Sequence, residues 1–289
     1  MTNYLHKVLP PQYSHVNKVY CLLAATVFCA LPLCSTEAAA ENILKYDGTT
    51  NIHGNAKTWA AKNEYDGIDI RVTGVDGGYY TDTTEALVLN NQTLNVKGKG
   101  KFVSIINTAQ NKQIDNNGGI YAKGGSTVNF TDVDSIYIAA IAGKEGGNDS
   151  TVISAKDPGR DLKGYTNIVN ISGTTVQLIG SIDVMHSLGS VFFNRNARHT
   201  VNAALSGSDS FWYGSAIGET DERTTVNLSL ADGATWIFNA GKSTLNAGGI
   251  IRNLKLDKGV VLFADAEVWE TYRKTVIKGT DYVLSLIHI

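Results

Sequence analysis

The sequence predicts an all-β chain wound as a parallel solenoid, and three observations carry that expectation. First, short stretches alternate apolar and polar residues between clusters of Gly, Asn, Asp and Ser, the period-two signature of half-buried strands. Thr225–Leu230 is a clear case, with Val226, Leu228 and Leu230 on one face and Thr225, Asn227 and Ser229 on the other. Second, one phrase recurs, in Thr93–Val96, Thr127–Phe130, Ile168–Ile171, Thr200–Ala203 and Thr225–Leu228, each with Asn in third place. Those asparagines are 34, 41, 32 and 25 residues apart, irregular periods that suit coils with variable loops better than the fixed blades of a propeller. Third, helical spacing is absent after the first forty residues, apart from a weak Ala/Lys patch near Lys57–Glu64.

Residues 1–40 read as a secretory signal peptide. Met1–Lys18 is polar, Val19–Leu33 is apolar, and Ala38-Ala39-Ala40 supplies small residues for cleavage between Ala40 and Glu41. A transmembrane anchor and a lipoprotein acylated at Cys34 are the alternatives. Pro32 interrupts the apolar core, which falls short of the ~20 residues a span needs. Leu33 occupies the place where a lipoprotein peptidase accepts a small residue. All three cysteines, Cys21, Cys29 and Cys34, lie in this leader. The mature chain therefore has no disulfide framework and rests on burial and hydrogen bonding, which suits a chain kept threadable for export.

Residues 41–80 are expected to form an N-terminal cap and first coils, because an uncapped edge templates aggregation. Residues 81–283 are expected to form the solenoid proper. At a guessed ~25 residues per coil this gives nine or ten coils and a rod roughly 45 Å long. Pro158 fits a protruding loop over Lys156–Asp161, since proline cannot donate to a ladder, and Lys144–Asp161 is expected to be presented as a surface loop. Residues 284–289, Leu-Ser-Leu-Ile-His-Ile, break off mid-strand and coincide in one codon reading with a sequencing adapter. They are set aside as a scar, and a continuation of the chain is expected. The competing all-β reading is an antiparallel sandwich, for which Asp47-Gly48, Asp66-Gly67, Asp76-Gly77, Asn117-Gly118 and Asp232-Gly233 offer hairpin turns.

Composition narrows function. All 29 glycines follow residue 40, about 12 % of that segment against an ordinary ~7 %. The segment is mildly acidic, with 23 Lys+Arg against 26 Asp+Glu, which excludes a general nucleic-acid binder.

The stretch Gly233–Leu245, continuing through Leu254–Phe263, resembles late passenger-domain coils of autotransporter (type V secretion) proteins. The matching residues are Trp236, Ser243 and Leu245, then Leu254, Leu256, Gly259 and Phe263. The resemblance covers about thirty residues and is shared by surface adhesin-like repeats generally. It implies a right-handed parallel β-helix, non-enzymatic and adhesin-like, displayed at the cell surface or secreted. It also implies a C-terminal outer-membrane β-barrel in the continuing chain, a host-surface protein or glycan as partner, no cofactor, and C-terminal coils that fold first. The alternatives are a polysaccharide lyase or hydrolase on the same fold, and a lipid-anchored structural protein.

Other candidate chemistry reads as structure. Asp132 and Asp134 direct both carboxylates outward, as a Ca²⁺ site would, but no basic partner marks them and a solvated turn pair is expected. Gly146–Asp149 matches a Ca²⁺ nonapeptide only once and is read as a loop. His53, His186 and His199 lack metal-ligand spacing. Arg195, Arg198 and His199 are read as an exposed basic loop, with contact to an acidic glycan as the alternative. Gly74–Gly78 and Gly143–Gly147 precede no helix and are turns. The Asn-x-Ser/Thr triplets at Asn91, Asn129, Asn148, Asn170 and Asn227 are read as structural, because stacked asparagines can form an amide ladder. Trp212, Tyr213, Trp236 and Trp269 are candidates for carbohydrate stacking. An interior stack is expected for Trp236 with Phe238, and the environments of Trp212 and Trp269 stay open.

Overall fold

The computed structural model describes residues 42–48, 52–53, 64–73, 85–108, 118–141, 151–156, 164–184, 197–218, 223–238 and 251–263. All of them belong to one unit, Ala40–Ser285. They contain strands and turns but no helix.

The strands follow one another in eight windings among the described residues. β1 (Ile43–Gly48) and β2 (Ile52–His53) make the first, and β3 (Gly67–Thr73) and β4 (Glu85–Asn90) the second. The third holds β5 (Thr93–Lys97), β6 (Phe102–Thr108) and β7 (Gly118–Lys123); the fourth holds β8 (Thr127–Ile141) and β9 (Thr151–Ala155). The fifth is β10 (Thr166–Ile179) and β11 (Ser181–Asp183); the sixth is β12 (Arg198–Ser206), β13 (Phe211–Gly214) and β14 (Ala216–Ile217). β15 (Thr224–Ala231) and β16 (Thr235–Phe238) form the seventh, and β17 (Asn253–Asp257) and β18 (Val260–Phe263) the eighth.

Among the described residues successive windings pair along up to three walls. The first wall runs β5, the first half of β8, the first half of β10, β12, β15 and β17. The second runs β1, β3, β6, the second halves of β8 and β10, β13, β16 and β18. The third runs β2, β4, β7, β9, β11 and β14. Every one of these pairings is parallel, so the chain is a parallel β-solenoid and the sandwich reading falls.

The Asp-Gly pairs explain themselves at this point. Asp232 (φ 51°) and Gly233 (φ 88°) adopt the left-handed geometry of a hairpin turn. They sit instead at the corner between β15 and β16, which pair with the neighbouring windings and not with each other. Left-handed residues recur at this corner, as Gly98, Asp132, Gly207, Asp232 and Lys258. Gly, Asp and Asn tolerate that conformation most cheaply.

Inward side chains stack in columns because the register places equivalent positions over one another. On the first wall Val96, Phe130, Ile171, Ala203, Leu228 and Leu254 form one such column. On the second, Ile70, Ile105, Ile138, Leu178, Trp212 and Trp236 form another. All of these are buried, and fully burying each large aliphatic side chain is worth about 1.5–3 kcal/mol.

Eight windings lie among the described residues, with equivalent asparagines 25 to 41 residues apart. One expectation is corrected. The loop expected over Lys144–Asp161 contains β9, whose Val152, Ile153, Ser154 and Ala155 are buried and whose backbone pairs with β7 and β11. A run of β-branched and small residues found a slot in the third wall, which the proline and glycines around it had hidden. Pro158 itself, with residues 157–163, lies outside the described residues.

Candidate functional site

The outer surface of the first wall is built from the recurrent phrase. In each strand the inward residues flank Asn, so period two turns Asn outward together with the residue two places before it and the one two places after. Parallel register aligns Asn95, Asn129, Asn170, Asn202, Asn227 and Asn253 into one column. Their amides form a continuous ladder. Asn129 Nδ2 donates to Asn95 Oδ1 at 2.9 Å, and Asn170 Nδ2 to Asn129 Oδ1 at 2.7 Å. Asn202 donates to Asn170 at 2.7 Å, Asn227 to Asn202 at 2.7 Å and Asn253 to Asn227 at 2.6 Å. Every bond points the same way, so the amide dipoles polarise one another along the column.

Two further columns flank this ladder. Thr93, Thr127, Ile168, Thr200 and Thr225 run on one side; on the other run Lys97 and Thr131 and, beyond a register irregularity between β8 and β10, Ser172, Ala204 and Ser229. The asparagine and hydroxyl columns line a cleft of about 330 Å³, with Lys255 at the end of its second side. The Asn-x-Ser/Thr triplets at Asn129, Asn170 and Asn227 are thus two adjacent outward columns of one sheet. Asn253 belongs to the ladder too, and the sequence reading missed it because Arg252 and Ile251 replace the usual Val and Thr. Its 26-residue offset from Asn227, close to the preceding gap, was the signal available.

The tryptophans are interior. Trp212 and Trp236 are wholly buried, stacked with centroids 5.0 Å apart and planes 7° from parallel, and Phe238 meets Trp236 edge-on at 5.3 Å. Each indole N–H donates to a glycine carbonyl one winding back, Trp212 to Gly180 at 2.9 Å and Trp236 to Gly214 at 3.0 Å. A Cβ on Gly214 would lie 2.1 Å from the Gly180 carbonyl oxygen, so glycine is what lets these windings close. Neither Trp offers a sugar-stacking face. Tyr213 lies half-buried on the outside of the second wall, and Trp269 is outside the described residues.

The expected basic loop is also corrected. His199 is fully buried, its Nδ1 3.1 Å from Asn167 Nδ2, while Asn167 Oδ1 accepts the backbone N–H groups of Gly125 and Ser126 at 2.9 and 3.0 Å. It sits in register between Asn167 and Thr224, a polar corner inside the stack where the Asn167 contact offsets part of the desolvation. Arg198 is exposed on the same strand; Arg195, His186 and the Gly146–Asp149 stretch lie outside the described residues. Of His53 only the backbone is described, in β2.

Asp132 and Asp134 are exposed at the corner, where Asp132 is left-handed (φ 58°) and Asp134 Oδ2 accepts Gly100 N–H at 3.0 Å. That is a turn role. Among the described residues no three His, Cys, Asp or Glu side chains converge as metal ligands. On the third wall Lys156 Nζ meets Asp183 Oδ2 at 2.6 Å, with the Asp183 side chain 8 % exposed. The pair neutralises itself in a half-dry setting, as structural ion pairs do.

Within the stretch that resembles passenger coils, Trp236 and Leu254 are buried and Leu256 half-buried. A Cβ on Gly259 would lie 2.3 Å from Leu230 Cβ, and Phe263 is in register with Phe238. Ser243 and Leu245 lie outside the described residues, as do Ala40, Glu41, the leader and residues 264–289. Comparison with protein-family models, with curated proteins and with solved structures finds no match to this chain.

Proposed function

We propose that this chain is the passenger segment of an autotransporter-like exported protein, adhesin-like and non-enzymatic, displayed at the cell surface. The single observation that carries the reading is the uninterrupted parallel stacking of windings on three walls. A stack of this kind grows one winding at a time on the one before, since each winding buries its apolar side only against its neighbours. Such growth suits a chain that emerges end-first through a membrane and folds outside. The absence of cysteine after Cys34 supports it, because no crosslink has to form before or during passage. Variable spacing between equivalent asparagines lets the connecting segments lengthen without disturbing the ladders, so surface contacts diversify on a constant frame.

The test is display. An epitope inserted between Asp157 and Lys163 of the full-length protein, expressed in a Gram-negative host, is expected to bind antibody on intact cells and to be shaved by external protease. Recovery of the uncleaved protein in the cytoplasm, with the epitope reached only after lysis, defeats the reading.

A further inference from the structure

The ordered surface lies on the first wall, not in the connecting segments, and its chemistry is unusually uniform. Asn170, Asn202 and Asn227 present identical amides at the ~4.8 Å spacing of adjacent strands, and each keeps a second N–H and a second lone pair after its ladder bonds are made. Ser172 and Ser229 set hydroxyls beside them, and Ala204 leaves a gap between the two in the same column. In these three rungs the asparagine and its two flanking outward positions carry no charge; Arg198 and Lys255 lie at the edges. The amides are already held by their neighbours, so little side-chain entropy remains to be lost on binding.

We propose that this cleft binds an extended, uncharged polysaccharide laid along the direction of winding. A repeating array of identical donors and acceptors is matched by a ligand that repeats its own hydroxyls, and one winding advances by about the length of one sugar unit in an extended chain. Apart from Lys255 at one end, the lining carries no charge for an acidic polymer to pair with, whereas a sugar chain meets amides and hydroxyls set in a largely apolar groove that suits its C–H faces. At about 330 Å³ the cleft sits at the lower end of ligand-binding volumes, as befits a groove open along its length. The inference names a ligand class for the adhesin-like reading, but it stands on the wall's geometry and does not require export.

The experiment is co-sedimentation of the purified full chain with microcrystalline cellulose, chitin and insoluble β-1,3-glucan, with immobilised polygalacturonate as the acidic counterpart. Retention on at least one uncharged polymer, insensitive to salt, is expected. A204R, which lays a long cation into the cleft, should weaken retention at least about tenfold, or about 1.4 kcal/mol. Its circular dichroism and melting temperature should stay unchanged, and the exposed second-wall variant K45Q should bind as wild type does. S172K is the second cleft variant should A204R misfold. No retention on any uncharged polymer, retention on polygalacturonate alone, or undiminished binding by a folded cleft variant overturns the proposal. Cell adherence separates the two readings. Displayed A204R that adheres like wild type removes the wall site and leaves the adhesin intact. Polymer retention by a chain that never reaches the cell surface does the reverse.

Discussion

Asn202 shows what a single residue does in this molecule, because it donates to Asn170 and accepts from Asn227 at the same time. Asn202→Asp keeps the shape and removes the donor, setting a carboxylate oxygen against the Asn170 oxygen. The expected cost at pH 7 is about 1–3 kcal/mol, or a few degrees of melting temperature for a chain this size. Below about pH 4 the protonated carboxyl donates again, so the gap between variant and wild type in parallel melts should close. A gap that persists in acid would show the ladder bond to be irrelevant. Tyr65 carries a second pH dependence. Burial raises its phenol above the ordinary value, since the charged form loses solvation. The stabilisation is whole below the unfolded value of about 10 and is lost as pH rises through the higher folded value. Tyr65→Phe should flatten that alkaline limb in denaturant titrations above pH 10, and identical limbs would refute the assignment.

At the scale of the strand and its corners, backbone geometry decides more than side-chain chemistry. Lys258 holds φ 60° at the corner between β17 and β18, a conformation that costs a non-glycine residue roughly 1–2 kcal/mol. Lys258→Gly should recover part of that, about 0.5–1 kcal/mol after the added freedom of the unfolded chain is counted, visible as a higher melting temperature. The opposite holds at Gly214, whose missing Cβ admits the Gly180 carbonyl. Gly214→Ala must push two windings apart beneath the stacked indoles, for an expected loss of about 1–3 kcal/mol and a change in tryptophan fluorescence. Unaltered emission and stability would mean the close approach is not required.

For the whole molecule, windings touch only their neighbours along each wall, so stability should be local and propagate. Trp236→Ala, expected to cost about 3–5 kcal/mol, should therefore raise hydrogen exchange across β13, β16 and β18 while leaving Ile68 and Ile70 in β3 near their wild-type protection. A uniform rise over every wall in exchange mass spectrometry would show a single cooperative unit instead.

What the sequence determined alone was the strand period; it also favoured, over an antiparallel sandwich, the parallel stacking and amide ladder that the structure shows. The period follows from local alternation, and the stacking was suggested by one repeated phrase whose asparagines can satisfy one another when they lie side by side. Tertiary structure alone decided that β8 and β10 each serve two walls, that β9 is core, that His199 is interior and that Trp212 is sealed beside the Trp236 that alternation had already turned inward. Alternation separates two faces of a strand but says nothing of what waits opposite. The carbonyls that receive the indole N–H groups come from Gly180 and Gly214, 32 and 22 residues away. The amide that meets His199 lies 32 residues off, in the preceding winding. Such partners are brought together by the winding itself, and no window of sequence contains them.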